Sequence, residues 1–133
     1  MLLIDKLSPK PIYEQLIGNI EQNILLGIYP PGTLLPSLRE LSVTLGINPN
    51  TIQKAYAELT RRGIIHPSPG RGSYVSPHAL DLLRTEARKR LEELKVLLRE
   101  LALAGIEKHE ILTLLSLVYP ESNSPSEHKE VTK

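Results

Sequence analysis

The chain has 133 residues, of which 23% are charged and 41% are hydrophobic, and its formal net charge at pH 7 is +1. This length allows one compact domain with a modest appendage and excludes a second large domain. The sequence contains no cysteine, which excludes disulfides, thiolate metal ligands and a cysteine nucleophile. The apolar run at the N-terminus is too short for a signal peptide, and no stretch reaches the length of a membrane span. We therefore expect a cytoplasmic protein.

The charges are unevenly distributed along the chain. Residues 30–78 carry five basic and two acidic side chains, whereas residues 79–133 carry nine basic and ten acidic ones. The positive bias of the first region allows a nucleic-acid partner without requiring one. No serine elbow, zinc-type His-Glu-x-x-His motif or phosphate loop occurs, and the four histidines lack metal-ligand spacing. These features predict a protein that is not an enzyme, binds no metal and needs no cofactor.

The first predicted element is an amphipathic helix. Apolar residues recur every four positions from Ile12 to Ile24, which is the spacing of one helix face. Pro11 precedes this pattern and Gly27 follows it, as is typical of helix ends.

Two shorter helices follow, each with a clear capping signal. Ser37 stands three residues before Glu40, which is the spacing of a capping box, and Gly46 ends that helix. Asn48 is a suitable N-cap for the next helix, and Pro49 suits its first position, where no backbone N–H is needed. The sequence thus predicts two helices joined by a short turn.

A β-hairpin is predicted after the third helix. Two β-type segments, residues 64–66 and 73–76, flank a tip rich in proline and glycine at residues 67–72. Two capped helices followed by a hairpin are typical of a winged helix-turn-helix. We therefore predict a mainly α fold with a small β-hairpin, in which residues 10–77 form a winged helix-turn-helix domain.

The third helix would present hydrogen-bonding side chains on its outward face. Its apolar residues face inward, which leaves Asn50, Thr51, Gln53 and Lys54 outside. Asparagine and glutamine pair with adenine in the major groove, and threonine contacts either a base or a phosphate. Two interpretations remain open from these residues alone: a groove-reading face, or ordinary polar residues facing solvent.

The C-terminal part is predicted to be a two-helix dimerisation region over residues 78–119, followed by a disordered tail at residues 120–133. Its first helix carries an apolar stripe close to a heptad repeat, and its second helix runs over residues 106–118 after Gly105. A core helix folded onto the winged domain is the alternative. We prefer a dimer because a second copy is the simplest partner for the leucines. The predicted interface residues are Leu80, Leu83, Ala87, Leu91, Leu94, Leu98 and Leu101.

Seven short motifs occur in a fixed order between about residues 10 and 76. They are Pro11-Ile12-Tyr13-Glu14-Gln15, Pro31-Gly32, Leu35-Pro36-Ser37-Leu38-Arg39-Glu40-Leu41, Asn48-Pro49-Asn50-Thr51, Gln53-Lys54-Ala55-Tyr56, Gly63-Ile64-Ile65 and Gly70-Arg71-Gly72-Ser73-Tyr74-Val75. In order and spacing they resemble the GntR family of bacterial regulators, and within it the short YtrA-like subfamily.

The resemblance implies which positions contact DNA. Arg39 corresponds to an arginine that contacts the DNA backbone, and Gly72 corresponds to a wing glycine that reaches the minor groove beside Arg71. At the positions of Pro49 and Gln53 many family members have arginine, which this chain lacks. The predicted DNA-binding residues are Ser37, Arg39, Asn48, Pro49, Asn50, Thr51, Gln53, Lys54, Arg71 and Gly72.

The expected function is sequence-specific transcription regulation by a repressor. The resemblance implies a short dimerisation region, so we expect a homodimer on double-stranded DNA that carries an inverted-repeat operator. Two alternatives remain. One is a regulator gated by a small molecule at the dimer interface, and the other is a winged helix that serves as a protein-interaction module.

Overall fold

The computed structural model describes residues 2–120, and these residues form two compact units that divide between Arg88 and Lys89. The predicted disordered tail lies outside the described residues, apart from Pro120. A mainly helical fold with one small β-hairpin is confirmed. In chain order the elements are α1 (Ile12–Leu25), α2 (Leu38–Leu45), α3 (Pro49–Arg61), β1 (Ile65–Ser68), β2 (Gly72–Val75), α4 (Ala79–Lys89), α5 (Leu91–Leu103) and α6 (Lys108–Val118).

The capping signals of α2 and α3 are confirmed. The Ser37 hydroxyl accepts a hydrogen bond from the Glu40 backbone N–H at 3.0 Å, and the Glu40 carboxylate accepts one from the Ser37 N–H at 2.8 Å. Asn48 caps α3 through its side-chain oxygen, and Pro49 occupies the first helical position. The caps satisfy backbone donors that no helical carbonyl reaches, so both helices begin where the sequence places their starts.

The first unit is built around α3, which packs against α1, α2 and β1. Its core is almost entirely aliphatic, as a chain without phenylalanine or tryptophan requires. The buried hydrophobic residues are Leu16, Ile20, Ile24, Leu35, Leu41, Ile47, Ile52, Ala55, Tyr56, Leu59, Ile64, Ile65, Val75, Ala79 and Leu83. This core extends from α1 into the beginning of α4.

The wing is a hairpin with a third extended segment beside it. β1 pairs antiparallel with β2, and Pro67 stands opposite Ser73. β1 therefore continues two residues beyond the predicted strand. Among the described residues β1 pairs only with β2, so it is an edge strand, where a proline without a donor is tolerated. On the other side of β2, the Leu35 N–H donates to the Ser73 carbonyl at 2.8 Å.

The helix that follows the wing belongs to the first unit. Leu83 is only 6% exposed and lies with Ala79 in the core described above. The prediction that Leu83 faces a partner subunit is therefore wrong, because its side chain is already covered within one chain. The compact unit ends at Arg88 rather than at the predicted residue 77.

Within residues 2–120, three helices rather than the two predicted follow the wing, because α4 ends at Lys89 and Arg90 is the N-cap of α5. Neither proline nor glycine stands at that position, so the sequence pattern gave no sign of the break. α6 begins at Lys108, two residues after the predicted start, where Glu107 and Glu110 form a capping box.

The second unit has no buried side chain in its two described helices. Leu91 and Leu94 of α5 and Leu115 and Leu117 of α6 are all exposed. Burying an apolar side chain contributes roughly 1.5–3 kcal/mol, and these leucines do not obtain that contribution within the described chain.

Along residues 2–120, no helix combines the length and the apolar character that a membrane crossing demands.

Candidate nucleic-acid interface

The turn between α2 and α3 sets the start of the predicted recognition helix. Gly46 adopts φ +66°, a left-handed conformation that glycine reaches without steric cost. The Gly46 N–H donates to the Ser42 carbonyl at 3.0 Å, and the Ser42 hydroxyl donates to the Ile47 carbonyl at 2.8 Å. The Ile47 side chain is buried in the core, so the turn is held by both hydrogen bonds and packing.

Asn50 and Gln53 are exposed near the start of α3. Within residues 2–120 neither side-chain amide has a hydrogen-bond partner, whereas the Asn48 side chain is engaged by the Asn50 backbone N–H at 2.8 Å. Thr51 is half-buried. The amides of Asn50 and Gln53 are therefore available for base edges, while Asn48 serves the helix start.

Lys54 differs from the other residues of the predicted groove-reading face. Its ammonium lies 3.9 Å from the centroid of the Tyr13 ring on α1. A cation at this distance is attracted by the electron-rich face of the ring, by about 0.5–1 kcal/mol at exposed sites. Lys54 is thus held toward α1. Moving its ammonium from the Tyr13 ring to a DNA phosphate would lose this attraction, which would offset part of the free energy gained from the phosphate contact.

The first turn of α2 presents Arg39. This residue is exposed, and its guanidinium forms no ion pair within residues 2–120. The neighbouring Glu40 carboxylate is held in the capping box with Ser37. A free guanidinium with five donors suits bidentate contact with a phosphate. Ser37 itself is occupied by the cap.

The wing tip presents Arg71 and Gly72. The Arg71 N–H donates to the Ser68 carbonyl at 2.9 Å, which closes the turn and leaves the Arg71 side chain exposed. Gly72 adopts φ +116°, which L side chains rarely reach. A pocket of about 300 Å³ is lined by Arg71, Ser68, Tyr74, Leu34 and Gly32.

A buried tyrosine connects the start of α2 to α3, which sequence reasoning missed. The Tyr56 hydroxyl donates to the Pro36 carbonyl at 2.6 Å. Burial, together with nearby Tyr29 and Glu40, raises the pKa of the Tyr56 phenol above its ordinary value, so the group remains a neutral donor. The available signal was a tyrosine on the inward face of α3, since a buried hydroxyl requires a partner.

An arginine at the end of α3 joins three helices, which also went unpredicted. The Arg62 guanidinium pairs with Glu21 of α1 at 2.7 Å and with Glu86 of α4. Burial disfavours its charge, but the hydrogen bonds that Arg62 donates to Glu86 and Glu21 outweigh this, so the pKa of Arg62 is raised. No local pattern could have revealed this cluster, because its members are far apart in sequence.

The remaining residues of the predicted interface stripe differ in exposure. Leu80, Leu98 and Leu101 are half-buried, while Ala87, Leu91 and Leu94 are exposed. The stripe is interrupted at Arg90 and is shared between the two units. Only its second half, on α5, belongs wholly to the unit that lacks a core.

Comparison with protein families identifies the first unit. Residues 12–75 match the family of bacterial regulatory proteins called the gntR family. The chain is 45% identical over 109 residues to the HTH-type transcriptional repressor YtrA of Bacillus subtilis (strain 168), covering 80% of this chain and 83% of that protein.

Solved structures agree with this relationship. A GntR family transcriptional regulator from Listeria monocytogenes superposes with a TM-score of 0.69 at 36% identity, covering 84% of this chain and 98% of that one. AraR(DBD) in complex with operator ORX1 superposes with a TM-score of 0.50 at 30% identity, covering 56% of this chain and 93% of that one. Family match, relative and fold agree with the motifs between residues 10 and 76, and the chain belongs to the GntR family of DNA-binding transcription regulators, close to its YtrA-like members.

Proposed function

We propose that the protein is a repressor that binds an inverted-repeat operator as a homodimer. The observation that carries this proposal is a set of exposed polar side chains without partners among residues 2–120, at the starts of α2 and α3. These are Arg39, Asn50 and Gln53. The similar protein of Bacillus subtilis is named as a repressor, and AraR(DBD) has been solved on an operator.

The interface would divide its work between two kinds of contact. Arg39 and Arg71 would bind phosphates or the minor groove, which positions the protein on the duplex. Asn50 and Gln53 would read base edges in the major groove, where amides pair bidentately with adenine. Thr51 and Lys54 would contribute less, because Thr51 is half-buried and Lys54 is held over Tyr13.

Dimerisation would occur through α5 and α6. Their apolar side chains are not buried within the described chain, and a second copy would cover the same surface symmetrically. Two recognition helices related by a dyad require half-sites about one helical turn apart, roughly 10 bp, or a multiple of that spacing. A single protected half-site in footprinting would contradict this arrangement.

The test begins by selecting binding sequences from a random duplex library with the full chain. Enrichment of an inverted repeat is the expected result. Failure to enrich any sequence, with only weak and salt-sensitive binding, would instead support a protein-interaction module. The selected duplex and an unselected duplex then serve as probes for substituted chains.

Arg39→Ala should weaken binding to both probes. A phosphate contact carries no sequence information, and its loss should make the log–log salt slope shallower by about 1 in each subunit. Arg84→Ala, which removes an exposed arginine of α4, is the matched control and should leave both slopes unchanged. Equal behaviour of the two variants would exclude Arg39 from the interface.

Gln53→Ala should weaken binding to the selected probe alone. The expected loss is about 1–3 kcal/mol per half-site, the contribution of one good base contact. Its affinity for the unselected duplex should barely change. A uniform loss on both probes would assign Gln53 to the DNA backbone instead.

A further inference from the structure

The N-terminal segment, residues 2–10, precedes the part of the chain that the family model matches. The side-chain amides of Gln15 and Asn19, on one face of α1, hold this segment by hydrogen bonds, and we call this arrangement the clasp. Asn19 accepts from the Leu3 N–H at 3.1 Å and donates to the Leu3 carbonyl at 2.8 Å. Gln15 forms the same pair with Asp5, at 2.8 Å and 3.0 Å. The two amides thus replace the neighbouring strand that an extended segment would otherwise require.

A turn follows the clasped residues. The Asp5 carboxylate accepts from the Leu7 N–H at 3.0 Å, and the Asp5 carbonyl accepts from the Ser8 N–H at 3.2 Å. Gln15 closes the far side by donating to the Lys10 carbonyl at 2.9 Å. The backbone is therefore held by hydrogen bonds on both sides of Lys6.

The Lys6 ammonium reaches the turn between α2 and α3. Its Nζ donates to the Gly46 carbonyl at 3.0 Å. α2 has no basic residue in its own last turn, although a cation is favourable at a helix C-terminus because it compensates the partial negative charge of the free carbonyls. Lys6 provides that cation from a distant part of the sequence.

We propose that Lys6 is a positioning residue for DNA binding, held by the clasped N-terminal segment so that it fixes the turn from which the recognition helix begins. The proposal rests on the DNA-binding function proposed above. Gly46 is followed by buried Ile47 and by Asn48, the N-cap of α3. A shift of the turn would therefore move the start of α3, and with it the Asn50 and Gln53 side chains. Lys6 would act by keeping the binding-competent arrangement populated.

A direct contact between Lys6 and a DNA phosphate is the competing role. A phosphate contact contributes to the salt dependence of binding, whereas a positioning role does not. The ammonium already donates to the Gly46 carbonyl in the protein without DNA. The two roles therefore differ in a measurable quantity.

The test uses Lys6→Met in the full chain, because methionine keeps most of the apolar stem and removes the ammonium. Without DNA, hydrogen exchange of the Gly46 amide, which donates to the Ser42 carbonyl, should become faster by about threefold to tenfold. Affinity for the selected duplex should fall by about threefold to tenfold, as the competent fraction decreases. The log–log salt slope should match that of the unsubstituted chain.

Two further variants complete the experiment. Gln15→Met removes the side-chain hydrogen bonds to Asp5 and Lys10 but does not alter the Lys6 side chain itself. Because the segment that carries Lys6 is then released, this variant should also accelerate exchange at the turn. Lys10→Met is the matched control, because Lys10 belongs to the same segment and its ammonium has no partner among residues 2–120. It should change neither exchange nor affinity.

Three results would overturn the proposal. One is unchanged exchange at the turn in Lys6→Met, and another is unchanged exchange in Gln15→Met. The third is a shallower salt slope in Lys6→Met, which would make Lys6 a phosphate contact. If the unsubstituted chain selects no DNA sequence, the proposed function fails on its own, and the exchange measurements still decide whether Lys6 fixes the turn.

Discussion

The two units of this chain use leucine in opposite ways. In the first unit, leucines and isoleucines from α1, α2, α3, the wing and α4 share one buried core. In the second unit, α5 and α6 are equally rich in leucine, yet none of their described side chains is buried. Leu83 and Leu94 belong to one predicted stripe, but Leu83 is 6% exposed and Leu94 is 46% exposed. An amphipathic pattern therefore predicts that a face will be covered without saying whether the cover comes from the same chain.

The largest expected effect comes from placing a charge in the uncovered unit. If α5 forms a dimer, Leu94→Glu should give a folded monomer, because a carboxylate is costly to bury against a partner. Affinity for the selected inverted repeat should then fall by about 10²–10⁴-fold, since the two half-sites would bind independently. Sedimentation and fluorescence anisotropy measure the two effects.

Leu26→Glu is the matched control for this prediction. Leu26 is exposed at the end of α1 in the first unit, so its substitution should leave the chain dimeric and bound to DNA. A dimer that survives Leu94→Glu would place the interface elsewhere on the second unit. Unfolding of the first unit in Leu94→Glu would instead mean that Leu94 packs within one chain.

The next prediction compares one leucine from each unit. Leu16→Ala removes a side chain that is 0% exposed and should lower the unfolding free energy of the first unit by about 2–5 kcal/mol. Leu97→Ala removes one that is 49% exposed on α5 and should leave that quantity unchanged. Hydrogen exchange of the slowest α1 amides measures both. Equal losses would show that the two units unfold as one.

Arg62 tests how firmly α4 belongs to the first unit. Arg62→Met leaves the carboxylates of Glu21 and Glu86 without their shared cation and should lower the unfolding free energy by about 1.5–3 kcal/mol, as for hydrogen bonds to charged groups. Arg61→Met is the control, because the Arg61 side chain is 71% exposed, against 17% for Arg62. Surface pairs contribute little, so this variant should unfold like the original chain. Urea unfolding monitored by circular dichroism separates the two variants. Equal stabilities would show that the Arg62 ion pairs do not stabilise the first unit.

The smallest expected effect is within the core of the first unit. Tyr56→Phe keeps the ring and removes the hydrogen bond to the Pro36 carbonyl, which should cost about 0.5–1.5 kcal/mol. Because the phenol is a neutral donor over the ordinary pH range, the cost should not vary between pH 6 and 9. A cost that grows toward the upper end of this range would instead show that Tyr56 ionises more readily in the folded protein than in the unfolded chain.

Much of the first unit could be predicted because its signals are local. Ser37 with Glu40 and Asn48 with Pro49 predicted both helix starts correctly, since capping depends on residues within one turn. The wing followed from β-type segments around a glycine-rich tip, although β1 proved longer because an edge strand accepts Pro67. The exposure of Asn50 and Gln53 followed from helical periodicity in the same way.

The remaining features depend on contacts between residues far apart in sequence. The sequence by itself determined the capped helices, the wing and the exposure of Asn50 and Gln53, because each rests on short-range geometry, and its motifs determined the family. Only the tertiary structure decided that Leu83 is buried within its own chain, that Arg62 bridges α1 and α4, and that the Lys6 ammonium donates to the Gly46 carbonyl. A side chain's period gives the direction in which it points, whereas the packing of the whole chain decides what it meets there.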